Sequence, residues 1–178
     1  MTAGRHAAAT RFDRALAGLQ AATVGVFVMV LWLGLSANWR RESFWTSPNL
    51  MARAFRPSTS FHAGIAWSTA FGFALYVLLY GCLGCLFALV ASRPIPRLRL
   101  TLLAIAFGLA WYWMVYQWLW RTALPVAPLI HGGRAAVLGH LIYGALLGRF
   151  PRYLPGAAET VAPPADEPVA NADSGAAT

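Results

Sequence analysis

Four long apolar runs, separated by arginine-bearing stretches, set the pattern of the chain. The first covers residues 15–37, ALAGLQAATVGVFVMVLWLGLSA, in which Gln20 is the only strongly polar residue. The second covers 63–91, the third 100–120 and the fourth 135–150. About 20 apolar residues cross a ~30 Å hydrocarbon core as a helix, so all four read as spans. At ~1.5 Å per residue the second is long enough to tilt or to extend past the bilayer, while the short fourth must stand upright with its flanking arginines reaching to the headgroups. The expected fold is all-α: a four-transmembrane-helix bundle.

Within three of these runs, small and polar residues recur at four-residue spacing, which places them on one face of a helix. The second run carries Gly64, Ser68, Gly72, Tyr76, Tyr80 and Gly84. The third carries Ala104, Gly108, Tyr112 and Tyr116, and the fourth Ala136, His140, Gly144 and Gly148. In lipid, burial of apolar surface does not drive helices together, so small residues that admit a close backbone and polar groups that bond across helices must do it. These ridges are therefore the expected inward faces. Gly64, Ser68, Gly72, Gly108, Gly144 and Gly148 are the candidate packing positions.

Between and beyond the spans the pattern changes. Residues 1–14 form a short N-terminal segment, and residues 38–61 form a long loop whose Trp39, Phe44, Trp45, Met51 and Phe55 suit either an interfacial amphipathic segment or a solvated loop. Residues 151–178 carry four acids after Pro155 and no apolar periodicity, so a disordered acidic tail is expected there. A cleaved signal peptide is the rival to the first span, but its apolar run exceeds the roughly 7–15 residues of a signal core and reads as an uncleaved anchor.

Composition agrees with a membrane setting. The chain of 178 residues is 58% hydrophobic and 11% charged, where soluble domains carry about a quarter charged residues. All fourteen basic residues are arginine, a bias that suggests GC-rich coding and a bacterial source. The net charge of +8 does not point to nucleic acid, because the arginines stand at the borders of apolar runs where they anchor helices. With the N-terminus inside, eight arginines fall on the cytoplasmic side (5, 11, 14, 93, 97, 99, 149 and 152) and six outside (40, 41, 53, 56, 121 and 134). That small excess, and the dense SRPIPRLR loop, place both termini in the cytoplasm with short inside loops.

The candidate chemistry centres on His140. An ionisable ring inside a membrane must find a partner, and either of two roles meets that need. It is a neutral imidazole bonded to Tyr76, Tyr80, Tyr112 or Tyr116 to hold helices in register, or it is part of a site for haem, quinone or lipid formed with Tyr143 and those same tyrosines. His62 and His131 fall at the outer ends of spans; a metal or haem shared among histidines would need them within a few Å of it, spacing alone is weak evidence for that, and solvated histidines are the expectation. Cys82 and Cys85 form CLGC, but inside an apolar helix the thiolate is disfavoured, and small apolar fillers are the expectation. The run WYWMVYQWLW reaches deeper than an interfacial belt requires, so part of it could face a flat ligand. None of the six acids lies in a span, which disfavours ion-coupled transport, and there is no phosphate loop, zinc quartet or nucleophile motif. No catalytic residue, metal or definite cofactor is indicated.

FHAGIAWSTAFGFALY in the second span, FGLAWYW in the third and HLIYGALLG in the fourth carry a resemblance. They are similar to the uncharacterised four-helix bacterial inner-membrane proteins of the YagU-like kind, in which a last helix reads His-Leu-x-Tyr-Gly-x-x-x-Gly. His140, Leu141, Tyr143, Gly144 and Gly148 stand on that pattern, and His62 matches a histidine near the start of the second helix. The resemblance covers roughly residues 60–150 and implies the fold and a multi-pass inner-membrane location, without an activity. A non-catalytic accessory or lipid-interacting bundle is the function expected, with the bilayer, another copy or another membrane protein as partner.

Overall fold

The computed structural model describes residues 9–60, 64–91, 95–120 and 133–155, and among them every regular element is helical. Helix α1 spans Arg11–Trp39, α2 Thr46–Phe55, α3 Trp67–Val90, α4 Arg97–Met114 and α5 Gly133–Leu147. A π-helical turn, Val115–Trp120, continues α4, and a 3-10 turn, Phe150–Tyr153, follows α5. Helices α1 and α3, of 29 and 24 residues, are long and apolar enough to cross a membrane. Helix α5 is apolar but shorter. His62, His131, the 122–132 connection and the tail from 156 lie outside the described residues.

Helix α1 begins on a reciprocal cap. Thr10 Oγ1 accepts from the Asp13 amide at 3.1 Å while Asp13 Oδ2 accepts from the Thr10 amide at 2.8 Å, satisfying amides that a helix start leaves open. The helix ends when Arg41 turns left-handed, with φ 63°, letting the Glu42 amide reach the Ala37 carbonyl at 3.0 Å.

The helices meet where side chains are smallest. At the α1/α3 crossing, a β-carbon placed on Gly18 would collide with the Gly84 carbonyl, and one placed on Gly84 would lie 2.6 Å from the Gly18 carbonyl oxygen. Ala22 and Ala88 follow each glycine by one turn, so two small-x-x-x-small pairs interlock. Along α4/α5, a β-carbon placed on Gly108 would lie 2.9 Å from the His140 carbonyl oxygen, one on Gly144 2.6 Å from Ile105 Cα and one on Gly148 2.7 Å from Thr101 Cα. Helix α1 also lies along α5, where Gly25 receives the Tyr143 ring and Trp32 Nε1 donates to the Ala135 carbonyl at 2.9 Å. Because residue numbers rise on one helix as they fall on its neighbour in each pair, α1 and α4 run opposite to α3 and α5.

Two expectations change. The second run does not become helical until Trp67, so Gly64 lies outside α3, is exposed, and has nothing within 4 Å of its β-carbon position. It is not a packing glycine. Residues 46–55, expected as an interfacial or solvated stretch, fold into α2 and turn inward. Thr46, Ser47, Asn49, Leu50, Met51 and Ala52 are all buried. Pro48, in the first turn where no helical amide bond is lost, sets its carbonyl against the bare Gly72 backbone. The polar side chains of α2 can be buried because α3 supplies polar neighbours: Thr69 Oγ1 donates to Asn49 Oδ1 at 2.7 Å, and the Tyr76 hydroxyl lies beside Ser47.

Candidate site around His140

The α3 glycines press on α1 and α2, so the space between α3 and the α4/α5 pair is left to large side chains. Tyr76, Tyr80, Phe87, Tyr112, His140 and Tyr143 fill it. Four-residue spacing accounts for the arrangement: Gly72, Tyr76, Tyr80 and Gly84 are all buried along one face of α3, and Ala136, His140 and Gly144 along one face of α5. One ridge thus alternates between glycines, which admit a backbone, and rings, which replace one.

His140 is bonded through both ring nitrogens. Nδ1 lies 2.7 Å from the Ala136 carbonyl, one turn back on its own helix. A carbonyl only accepts, so Nδ1 carries a proton, and in the neutral ring Nε2 is the acceptor. The Tyr80 hydroxyl, 2.8 Å from Nε2, therefore donates across from α3. Tyr143 completes the link in the other direction, its hydroxyl donating to the Tyr80 backbone carbonyl at 2.8 Å. Both bonds join α3 to α5 at one level, and Tyr143 is wholly buried.

Further rings pack against this pair. Tyr76 stacks on Tyr80 at 5.8 Å between centroids, Tyr143 meets Tyr80 edge-on at 4.9 Å, and Tyr112 tilts over His140 at 5.1 Å. Tyr116, in the π-helical turn, lies 5.4 Å from Tyr112 and reaches His140 only through it. Each such pair contributes roughly 0.5–1.5 kcal/mol beyond its burial. Trp111 Nε1 is buried beside the Tyr80 hydroxyl, near it but without the geometry of a hydrogen bond to any protein atom.

Of the expected site residues, Tyr76, Tyr80, Tyr112, His140 and Tyr143 come together directly, and Tyr116 joins at the edge. Among the packing positions, Gly72, Gly108, Gly144 and Gly148 abut another backbone, whereas Ser68 is half-buried and reaches Asn49 Oδ1 at 3.5 Å. The cysteines part company: Cys82 is exposed rather than a packed filler, while Cys85 Sγ donates to the Ala15 carbonyl at 3.3 Å. Among the described residues no three His, Cys, Asp or Glu side chains group as metal ligands. Sequence reasoning missed Gly25 and the Asn49–Thr69 pair, while Trp111 stands in the aromatic run WYWMVYQWLW that the sequence had marked as reaching inward. Of the two that were missed, only Gly25 had a signal, as a small residue in a large-residue run of α1.

No protein family, characterised protein or solved structure matches the chain.

Proposed function

We propose that this chain is a multi-pass protein of the bacterial inner membrane, of the YagU-like kind, in which α1, α3, α4 with its π-helical turn, and α5 cross the bilayer and both termini are cytoplasmic. Its role is that of a non-catalytic accessory or lipid-interacting bundle, whose buried polar groups hold helices rather than act on a substrate. The observation that carries this reading is the double engagement of His140. Its proton-bearing nitrogen is bonded to Ala136 and its lone pair to Tyr80, so ligating a haem iron would require breaking one of the two α3–α5 bonds.

Outward-facing side chains support the membrane setting. Phe27, Leu31 and Leu35 on α1, Leu78 and Leu86 on α3, Leu102 and Leu103 on α4 and Leu138 on α5 are all exposed. Apolar surface spread over four helices is costly in water and costs nothing against acyl chains. Trp39, Trp67 and Trp118 are exposed where α1 and α4 end and α3 begins, which is one end of the antiparallel bundle and suits an interfacial belt.

Trp111 Nε1 favours a second reading, in which the tyrosines and His140 hold a ligand with a hydrogen-bond acceptor, such as a quinone carbonyl. An absorption spectrum and mass spectrometry of the purified protein in detergent separate the two. The accessory reading expects no Soret band and no stoichiometric small molecule at the site. A Soret band, or a quinone lost in Trp111→Phe without loss of fold, would replace it with the second.

A further inference from the structure

The first apolar run holds one strongly polar side chain, Gln20, which the packing of the bundle leaves unused. Helix α1 turns Gly18 and Ala22 toward α3 and Gly25 and Met29 toward α5. At ~100° per residue Gln20 stands ~160° round the helix from both Gly18 and Ala22, on the opposite face. It is exposed there, and its amide has no hydrogen-bond partner among the described residues. Away from helix ends it is also the only exposed amide or charged side chain of α1, α3, α4 and α5 among those residues.

Its depth makes that exposure costly. Gln20 follows Arg14 by six residues, ~9 Å along the helix. The neighbouring Leu19 side chain stands against Gly81, and α3 runs on from Gly81 to Val90, so the same level lies ~14 Å below the end of that helix. In the membrane reading both measures put the amide inside the hydrocarbon, where no water satisfies it, and its side chain is shorter than the arginine stems that reach the surface. Leu16, Val24, Phe27 and Leu31 continue the same face and are all exposed. A carboxamide on such a face must find its partner on another helix.

We infer that this face of α1 is a parallel, two-fold interface with a second copy of the chain, in which the two Gln20 carboxamides bond each other and Leu16, Val24, Phe27 and Leu31 pack around them. Copies in one membrane share one orientation, so a two-fold axis along the membrane normal sets each residue of the contact at the depth of its own counterpart. A carboxamide suits that axis because it carries both donors and an acceptor, and each copy can donate to the other and accept from it. A different protein would have to bring a polar group to this same depth, and acyl chains bring none. One amide in an apolar seam also fixes the register of the two helices. The inference rests on the membrane reading above and adds the copy that completes α1.

Full-length protein in vesicles of phosphatidylethanolamine and phosphatidylglycerol provides the test. With Cys82 and Cys85 replaced by serine, Val24→Cys should yield a covalent dimer on oxidation with copper phenanthroline, and Leu78→Cys on the outward face of α3 should not. Energy transfer between labelled copies, followed as lipid dilutes them, should show dimer affinity about 5- to 30-fold weaker in Gln20→Leu, the effect of interhelical hydrogen bonds. Gln20→Asn, which keeps the amide, should retain part of the affinity, and Leu78→Ala should leave it unchanged. Since Gln20 bonds nothing within its own chain, Gln20→Leu should melt no lower than wild type in detergent dilute enough to hold monomers. A monomeric wild type, an affinity unchanged in Gln20→Leu, cross-linking through Leu78→Cys in place of Val24→Cys, or a lowered melt of the Gln20→Leu monomer overturns the inference. Carbonate extraction reads the membrane setting separately. A chain that stays with the membrane as a monomer loses this inference alone, whereas a chain released by carbonate loses the membrane reading with it.

Discussion

Tyr80 and His140 face each other across the bundle with Oη and Nε2 2.8 Å apart, and the Ala136 carbonyl behind the ring fixes which of them donates. The imidazole is thereby the acceptor in a neutral pair, and its removal strands the Tyr80 hydroxyl in an apolar interior. His140→Ala should lower stability by ~1–3 kcal/mol, and His140→Gln, which keeps a donor and an acceptor, should recover part of it. Tyr80→Phe should cost a similar amount and add little to His140→Ala, because the two changes remove one bond. Melting curves of the wild type, the three single variants and the Tyr80→Phe/His140→Ala double variant in one detergent check this. Full stability in His140→Ala together with loss of a bound molecule would make the site a binding site.

Gly144 presses on the α4 backbone, and a larger side chain cannot be placed there without moving a helix. Gly144→Leu should destabilise by ~1–3 kcal/mol or more through overpacking. Ala145→Leu, half-buried and one residue on, should cost under about 1 kcal/mol. Identical melting temperatures for the two variants would contradict the α4/α5 contact.

Gly72 and Gly64 form a matched pair, because only the first touches anything. Gly72→Ala pushes a methyl into the Pro48 carbonyl and should loosen α2 by ~1–3 kcal/mol, seen as faster amide exchange over Thr46–Phe55. Gly64→Ala should leave that exchange as it is. If both variants exchange alike, α2 does not rest on α3.

Orientation can be read with a membrane-impermeant maleimide in a background where Cys82 and Cys85 are replaced by serine. Ser58 is exposed in the turn after α2, so Ser58→Cys should label in intact cells, whereas Ser174→Cys should label only after lysis. The reverse result would invert the topology.

Much of the site was legible because its chemistry and its packing share one period. Tyr76, Tyr80 and His140 stand on the same four-residue ridges as the glycines, so a sequence that marks where backbones approach also marks where rings must fill. Helix α1 was less legible: Gly18 and Gly25 lie among so many apolar residues that no face stands out, and only their partners Gly84 and Tyr143 reveal them. Helix α2 was illegible for another reason. Thr46, Ser47 and Asn49 read as surface residues until Thr69 and Tyr76, twenty or more positions away, are seen to bond or adjoin them. Gly64 misled in the opposite direction, since it keeps the spacing of its ridge beyond the point where the helix begins.

The crossing partners also impose an order on biogenesis. Helix α1 finds α3 as soon as the second long helix leaves the ribosome, and Gly18 can lock on Gly84 early. Helix α4 is made next, yet the backbone that fits Gly108 belongs to α5, which follows it in the chain. Until Gly133 and the residues after it are made, the Gly108 face of α4 lacks the backbone it packs against. A nascent chain stalled at that point is a half-assembled pair with a loose third helix, and the arrival of His140 joins the two halves.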